Sequence, residues 1–278
     1  MTELVVRRLL IDLEPAFDRH WCGGDAFATA FFNALSMSFP VGEQFFIDAV
    51  RRGFDTLSPA QQQSHRAEVQ RFIGQEATHR RLHALFNAHL ERQGLVNAWA
   101  PRALARMHLF DQGIDPRHAL AATAANEHFT AIFAEWLLGH PGLLDGCEER
   151  LRTLWLWHSA EEAEHKSTAF DLYRALQGNE DWRRTWFRRI TLIFVNDVLR
   201  QTFLNLRHDG SVWRWRTWTG AARLLFGRDG LVRHCYKPWR DYLRPDFHPE
   251  QHASALSPRW LADNASRYTP VVPVPPQA

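Results

Sequence analysis

The sequence predicts an all-α protein, a four-helix bundle followed by a helical C-terminal extension, and three observations carry that prediction. Apolar residues recur at helical spacing along most of the 278 residues, with no sustained period-two alternation. Cap-plus-proline start signals stand at Ser58-Pro59 and Asp115-Pro116, each opening a long helical pattern. An acid followed by a Glu-x-x-His pair occurs twice along the chain.

Taken in order, Ala26 to Phe39 reads as one helix. The Phe39-Pro40 step ends it, because a residue before proline is pushed out of the helical region, and Val41 to about Arg52 forms a second piece. Ser58 caps a long helix, with Gln61 completing a capping box and Gly94 stopping it after Gln93. Residues 94 to 115 form a connection with a short helix after Pro101. The next helix runs from Pro116 to about Leu138, stopped by GHPG at 139 to 142, and the fourth from about Leu144 to Leu176, ending at Gly178. Amphipathic helices are expected near 182 to 207, 211 to 226 and 230 to 243, before a proline-rich end, TPVVPVPPQA. The expected domains are a bundle over 1–180, a basic aromatic-rich extension packed on it over 181–249, and an extended or disordered tail over 250–278. Four long antiparallel helices with a long middle connection describe a ferritin-like bundle.

A 45% hydrophobic composition supports a buried core and excludes disordered and fibrous classes. The longest uncharged stretch, Ala26 to Gly42, is too short and too polar to span a bilayer. The start MTELVVRRLLIDLEP lacks the features of a secretory signal, and Cys22, Cys147 and Cys235 make no disulfide framework or zinc pattern. A cytoplasmic location, with membrane-peripheral contact left open, is the expectation. Residues 181 to 244 hold 14 Lys+Arg against 5 Asp+Glu, a balance of +9 that leaves −7 for the remainder.

The chemistry-bearing pattern is Glu43 and then Glu76-x-x-His79, repeated as Glu127 and then Glu162-x-x-His165. Residues three apart on a helix lie about 60° apart, so each pair projects a carboxylate and an imidazole from one face. The acid-to-pair separations are 33 and 35 residues, and the halves repeat at 84 and 86. Glu43 and Glu127 stand in apolar surroundings, where an unpartnered acid is costly. One Glu from each of two helices plus Glu-x-x-His from the other two is the ligand set of dinuclear carboxylate centres. Four carboxylates offset two divalent ions, so the expected cofactor is two iron ions, with manganese or zinc as alternatives. Glu161 and His158 share the arc of Glu162 and His165; the repeat selects Glu162 as ligand and leaves Glu161 and His158 to orient ligands. Glu164 is expected on the far side, His83 as a partly exposed helix residue, and His128, beside Glu127, is left open.

At these residues the sequence resembles a bacterial family known as predicted metal-dependent hydrolases, in the ferritin-like superfamily. The matching stretches are FPVGEQFF (39–46), FIGQEATHRRLH (72–83), NEHFTA (126–131), WHSAEEAEHKSTAFD (157–171) and KPWRDYLRPDFHP (237–249). The resemblance implies a helical metal protein. By analogy with superfamily oxygenases, it implies bridging by Glu76 and Glu162, with Glu43, Glu127, His79 and His165 terminal.

The leading functional expectation is a di-iron enzyme that activates O2 to oxidise an apolar or acyl-chain substrate, with an electron-donor protein as partner. The alternative is a dinuclear hydrolase of an ester or phosphate, and the third reading is non-catalytic metal binding. Among four tyrosines only Tyr173 lies near a ligand helix, which disfavours a radical-generating subunit. In the extension, Arg alternates with 12 aromatic residues, as in VWRWRTW. Packing on the bundle and contact with a membrane surface or lipid-like substrate both fit that pattern, and no nucleic-acid motif accompanies it. A homodimer is left open.

Overall fold

The structure, a computed structural model, describes residues 4–110, 113–252 and 255–271. Helix α1 (Ala26–Asp55) opens on Asp25, whose carboxylate accepts from the Ala28 N–H. It then runs without interruption through Pro40, contrary to the expected break. Proline removes the N–H that would serve the Ser36 carbonyl. That carbonyl accepts instead from Asn87 Nδ2 at 2.9 Å, and the Met37 carbonyl from Asn97 Nδ2 at 2.8 Å. Tertiary donors therefore replace the helical one, and the helix continues to Glu43.

Helix α2 (Pro59–Arg92) starts at the Ser58–Gln61 capping box and returns antiparallel along α1, with Gln62 near Phe54 and Asn87 near Ser36. Helix α3 (Trp99–Met107) lies in the crossover, and α4 (Pro116–Gly139) follows the Asp115 cap. The expected fourth helix is divided. A 3-10 turn at Pro141–Leu144 and a left-handed Gly146 precede α5 (Glu149–His165), and α6 (Thr168–Ala175) follows a break at Lys166 and Ser167. Both break residues keep right-handed dihedrals, so the hydrogen-bond ladder is interrupted while the backbone stays near helical conformation.

The extension comprises α7 (Glu180–His208), α8 (Trp215–Phe226) and α9 (Leu231–Asp241). Helix α7 lies on the bundle, where Asn205 Nδ2 donates to the Ala30 carbonyl and Gln201 Nε2 to that of Val96. The expected extended tail is corrected over much of its length. Helix α10 (Leu256–Asp263) packs on α5, with Ser257 Oγ donating to the Ala160 carbonyl at 2.7 Å, because Leu256, Trp260 and Leu261 find an apolar surface there. Strand β2 (Tyr268–Pro270) pairs antiparallel with β1 (Arg7–Leu9), Arg8 opposite Thr269. The rest of the proline-rich end, 272–278, lies outside the described residues. Among the described residues no helix is long and apolar enough to cross a membrane.

The apolar core falls into two clusters, one around Phe32, Phe86 and Trp155 and one around Phe46, Phe72 and Phe170. On every bundle helix the chemistry-bearing residues sit between them. Glu43 lies between Met37 and Phe45, Glu76 and His79 between Phe72 and Phe86, Glu127 between Ala125 and Trp136, and Glu162 and His165 between Ala160 and Ala169. Cys22 and Cys147, distant in sequence, meet as thiols with sulfurs 3.3 Å apart.

Candidate metal centre

The four helices bring Glu43, Glu76, His79, Glu127, Glu162 and His165 into one interior space, each at most 5% exposed. They fall into two groups. Glu76, Glu127, Glu162 and His165 can each offer a donor atom within 4.8 Å of the others, and so can Glu43, His79 and His158. Glu162 joins the groups: its Oε1 is 2.9 Å from His158 Nε2 and 3.2 Å from His79 Nδ1, while its Oε2 is 3.6 Å from His165 Nε2.

Each imidazole is held from behind and leaves one nitrogen facing the acids. His165 Nδ1 donates to Gln75 Oε1 at 2.9 Å, and its Nε2, 3.0 Å from Glu76 Oε1 and 3.3 Å from Glu127 Oε2, makes no hydrogen bond. His79 Nε2 donates to Glu161 Oε2 at 3.0 Å, and its Nδ1 is likewise unpaired. Such backing fixes the tautomer of a metal-binding histidine. Both oxygens of Glu43, Glu76 and Glu127, and Oε2 of Glu162, also lack a hydrogen-bond partner. Buried carboxylate oxygens left this way are costly unless a cation meets them. The donor set fits a metal pair.

The electrostatics agree. Burial pushes Glu43 well above the usual carboxylate range and Glu127 up to about 8. Burial also acts to raise Glu162, but the charge of His165 and the close imidazoles of His158 and His79 outweigh it and hold the group well below its ordinary value. For His79, burial opposes the charge, but its hydrogen bond to Glu161 and the nearby carboxylate of Glu162 prevail and lift it to about 10. His165 is raised in the same way by Glu162 and Glu127. Glu43 and Glu127 thus favour their protonated forms and His79 and His165 their charged ones, while Glu162 stays ionised, which is how this cluster meets its demand for positive charge without a metal.

Glu161 lies behind His79, accepting from its Nε2, and Arg7 Nη1 holds it at 3.1 Å. His158 differs from expectation, since its Nε2 faces Glu162 and Glu43 inside the second group. His83 is fully buried rather than partly exposed, because α1 and α5 close over it: its Nδ1 meets Ser36 Oγ at 2.9 Å and its Nε2 meets His158 Nδ1 at 2.7 Å. Glu164 lies outside the cluster but does not simply face away, for Arg7 and Gln75 both bind it and tie it to the residues behind His79 and His165. His128 is turned from the cluster and donates to the Pro238 carbonyl at 3.0 Å. Arg7, Gln75, Ser36 and Asn87 carried no sequence signal beyond the helical adjacency of Gln75 to Glu76.

Two cavities end at the cluster. One of about 540 Å³ is walled by α1, α4 and α5 on one side and α7, α8 and α9 on the other, and reaches His158 and Glu162. Phe31, Phe39, Phe133, Phe194 and Trp239 dominate its lining. The second, about 260 Å³, reaches Glu43 beside Phe45, Asn126 and Arg106. Phe39, Thr130 and Phe194 border both.

The family model described as predicted metal-dependent hydrolase matches residues 5–253. No curated protein and no solved structure is found to match the chain. The hydrolytic description overturns the expectation of an O2-activating di-iron enzyme served by an electron-donor protein. Carboxylate and imidazole donors hold redox-active and redox-inert divalent ions alike, so the ligand pattern alone did not select oxygen chemistry.

Proposed function

This chain belongs to the predicted metal-dependent hydrolase family, and from that premise we propose that it hydrolyses a carboxylic ester with a large apolar part at a centre of two divalent ions. Glu76, Glu127, Glu162 and His165 would hold one ion, and Glu43, His79 and His158 with Glu162 the other. Manganese and zinc both suit these donors. Such ions supply Lewis-acid activation of a carbonyl and an acidified water.

The observation that carries the reading is the set of buried, unpartnered carboxylate oxygens and bare imidazole nitrogens converging at the end of an apolar cavity. Glu161 holds the proton on His79 Nε2 and Gln75 fixes it on His165 Nδ1, so both ligands keep their tautomer through turnover. The aromatic walls bind the apolar part and exclude water from the reacting carbonyl. An ester is favoured over a phosphate because no Lys or Arg lines the larger cavity, and Arg106 in the smaller is paired with Asp197. A phosphoryl group would want such cations for its equatorial oxygens.

The test is to strip metal with chelator, reload with zinc or manganese, and assay p-nitrophenyl decanoate beside a phosphodiester. Two ions per chain and metal-dependent release of decanoate are expected; Glu76→Gln should leave one ion, in the Glu43–His79–His158 group, and abolish the release. Two bound ions with neither ester cleaved would overturn the proposal.

A further inference from the structure

The outer face of the extension is unlike the remainder of the surface. On α7, Leu192, Val195, Leu199 and Phe203 recur at steps of three and four residues, and all are exposed. Helix α8 adds exposed Trp215, Trp218 and Phe226; Trp213, just before it, is 88% exposed and Trp215 76%. Helix α9 adds exposed Val232 and Tyr236. Side chains this large, exposed on three successive helices, exceed the scattered apolar residues of an ordinary surface.

This face surrounds the larger cavity, since Val195, Leu199, Phe226, Val232 and Tyr236 also line it. It is strongly cationic as well. Arg200, Arg207, Arg214, Arg216, Arg223 and Arg233 are exposed, whereas the exposed acids of residues 181 to 244 are Asp181 and Asp229. Tryptophan beside arginine on an amphipathic surface suits the boundary between lipid headgroups and acyl chains.

We propose that the face formed by α7, α8 and α9 seats on an anionic lipid surface, and that the cavity behind it draws an acyl chain from that surface toward the metal centre. The docking stands on this face alone, while the delivery of substrate rests on the ester-hydrolase reading. Like charge disfavours a second copy as the occupant, because two such faces would meet positive to positive. Attachment is peripheral, since no described helix can span a bilayer.

The metal-loaded full chain is sedimented with phosphatidylcholine vesicles, with and without phosphatidylglycerol, at low and high salt. Binding is expected to the anionic vesicles and to weaken with salt. Arg214→Glu and Arg216→Glu should each lower partitioning by about fivefold or more. Trp213→Ser with Trp215→Ser should lower it by about tenfold. Their exposure leaves the fold intact, which circular dichroism and an unchanged rate on soluble p-nitrophenyl acetate would verify. The same variants should slow release of decanoate from a vesicle-borne ester. Absence of binding to anionic vesicles, or binding unmoved by both pairs of variants, overturns the proposal. A dimer in sedimentation velocity that the tryptophan variants dissociate would overturn it in favour of a second copy. Vesicle binding without ester cleavage would uphold the docking and refute the hydrolase reading.

Discussion

Asn87 Nδ2 donates to the Ser36 carbonyl at 2.9 Å, the very carbonyl that Pro40 deprives of its helical donor. That bond orients the Asn87 amide, so its Oδ1 accepts from Ser36 Oγ at 2.7 Å. Having spent its proton, Ser36 Oγ accepts from His83 Nδ1, and His83 Nε2 in turn accepts from His158 Nδ1. His158 Nε2, 2.9 Å from Glu162 Oε1 and 3.8 Å from Glu43 Oε1, is then the ring nitrogen left for a metal, and burial, with the charge of His79, disfavours a charged ring by lowering its pKa to about 4. A proline in α1 thus sets the tautomer of a candidate ligand on α5.

Asn87→Ala should destabilise the protein by about 1–3 kcal/mol, because it strands a buried carbonyl. Pro40→Ala restores a helical N–H to Ser36 and should recover part of that loss. Urea unfolding of the wild type, both single variants and the double variant measures the coupling. Strictly additive losses would show that the Ser36 carbonyl does not connect the two sites.

Arg7 reaches from β1 to bind Glu161 and Glu164 in place. Arg7→Met leaves Glu161, which is fully buried, with an uncompensated charge, at a cost of about 3–5 kcal/mol. Because Glu161 orients His79, metal affinity should fall roughly tenfold or more as well. Denaturation and chelator competition on the same variant check both parts. Unaltered metal affinity would confine Arg7 to a structural role.

Metal removal should change the sign of the pH response. Without metal, Glu127 titrates near 8 instead of 4.5, so the folded protein keeps a proton that the unfolded chain releases. That contribution is complete below about pH 4.5 and is lost as pH rises through 8. His79, lifted to about 10 from 6.5, extends the decline toward higher pH. Bound metal replaces these protons, so the loaded protein should lose stability toward acid, where protons compete for its ligands. Thermal melts with and without chelator across neutral pH give the two slopes, and parallel slopes would contradict the cluster's role.

The ligand candidates were legible because they recur: Glu43 with Glu76 and His79, and Glu127 with Glu162 and His165, at matching separations. Helical geometry alone then placed each pair on one face. His158 lies outside that repeat, since its counterpart four residues before Glu76 is Phe72, so the sequence offers no partner that would point to its Nε2 facing the acids. The continuity of α1 could not be read locally, because the donor that excuses Pro40 comes from 51 residues away. Helix α10 was hidden by its proline-rich neighbourhood, and its stability comes from the surface of α5. Whether the donor set serves oxygen or water was never legible in the ligands, because the family match, not the coordination chemistry, distinguishes them.

The neighbours Glu161 and Glu162 give the sharpest test of register. Glu162 Oε1 lies between His158 and His79 and its Oε2 faces His165, so one carboxylate serves both donor groups. Glu162→Gln removes its charge and half its donor capacity, and occupancy at both positions should fall together. Among the described residues, Glu161 hydrogen-bonds the outer nitrogen of His79 and the guanidinium of Arg7 and is in neither donor group. Glu161→Gln should therefore keep two ions per chain while weakening affinity about 10–100-fold, as loss of an orienting partner does. His158→Gln belongs between them, because it removes a donor from the Glu43–His79 group and leaves Glu76, Glu127, Glu162 and His165 complete. One tight ion per chain is the expected remainder. Elemental analysis after dialysis against graded chelator ranks the three variants, and a greater loss in Glu161→Gln than in Glu162→Gln would place the wrong carboxylate on the metals.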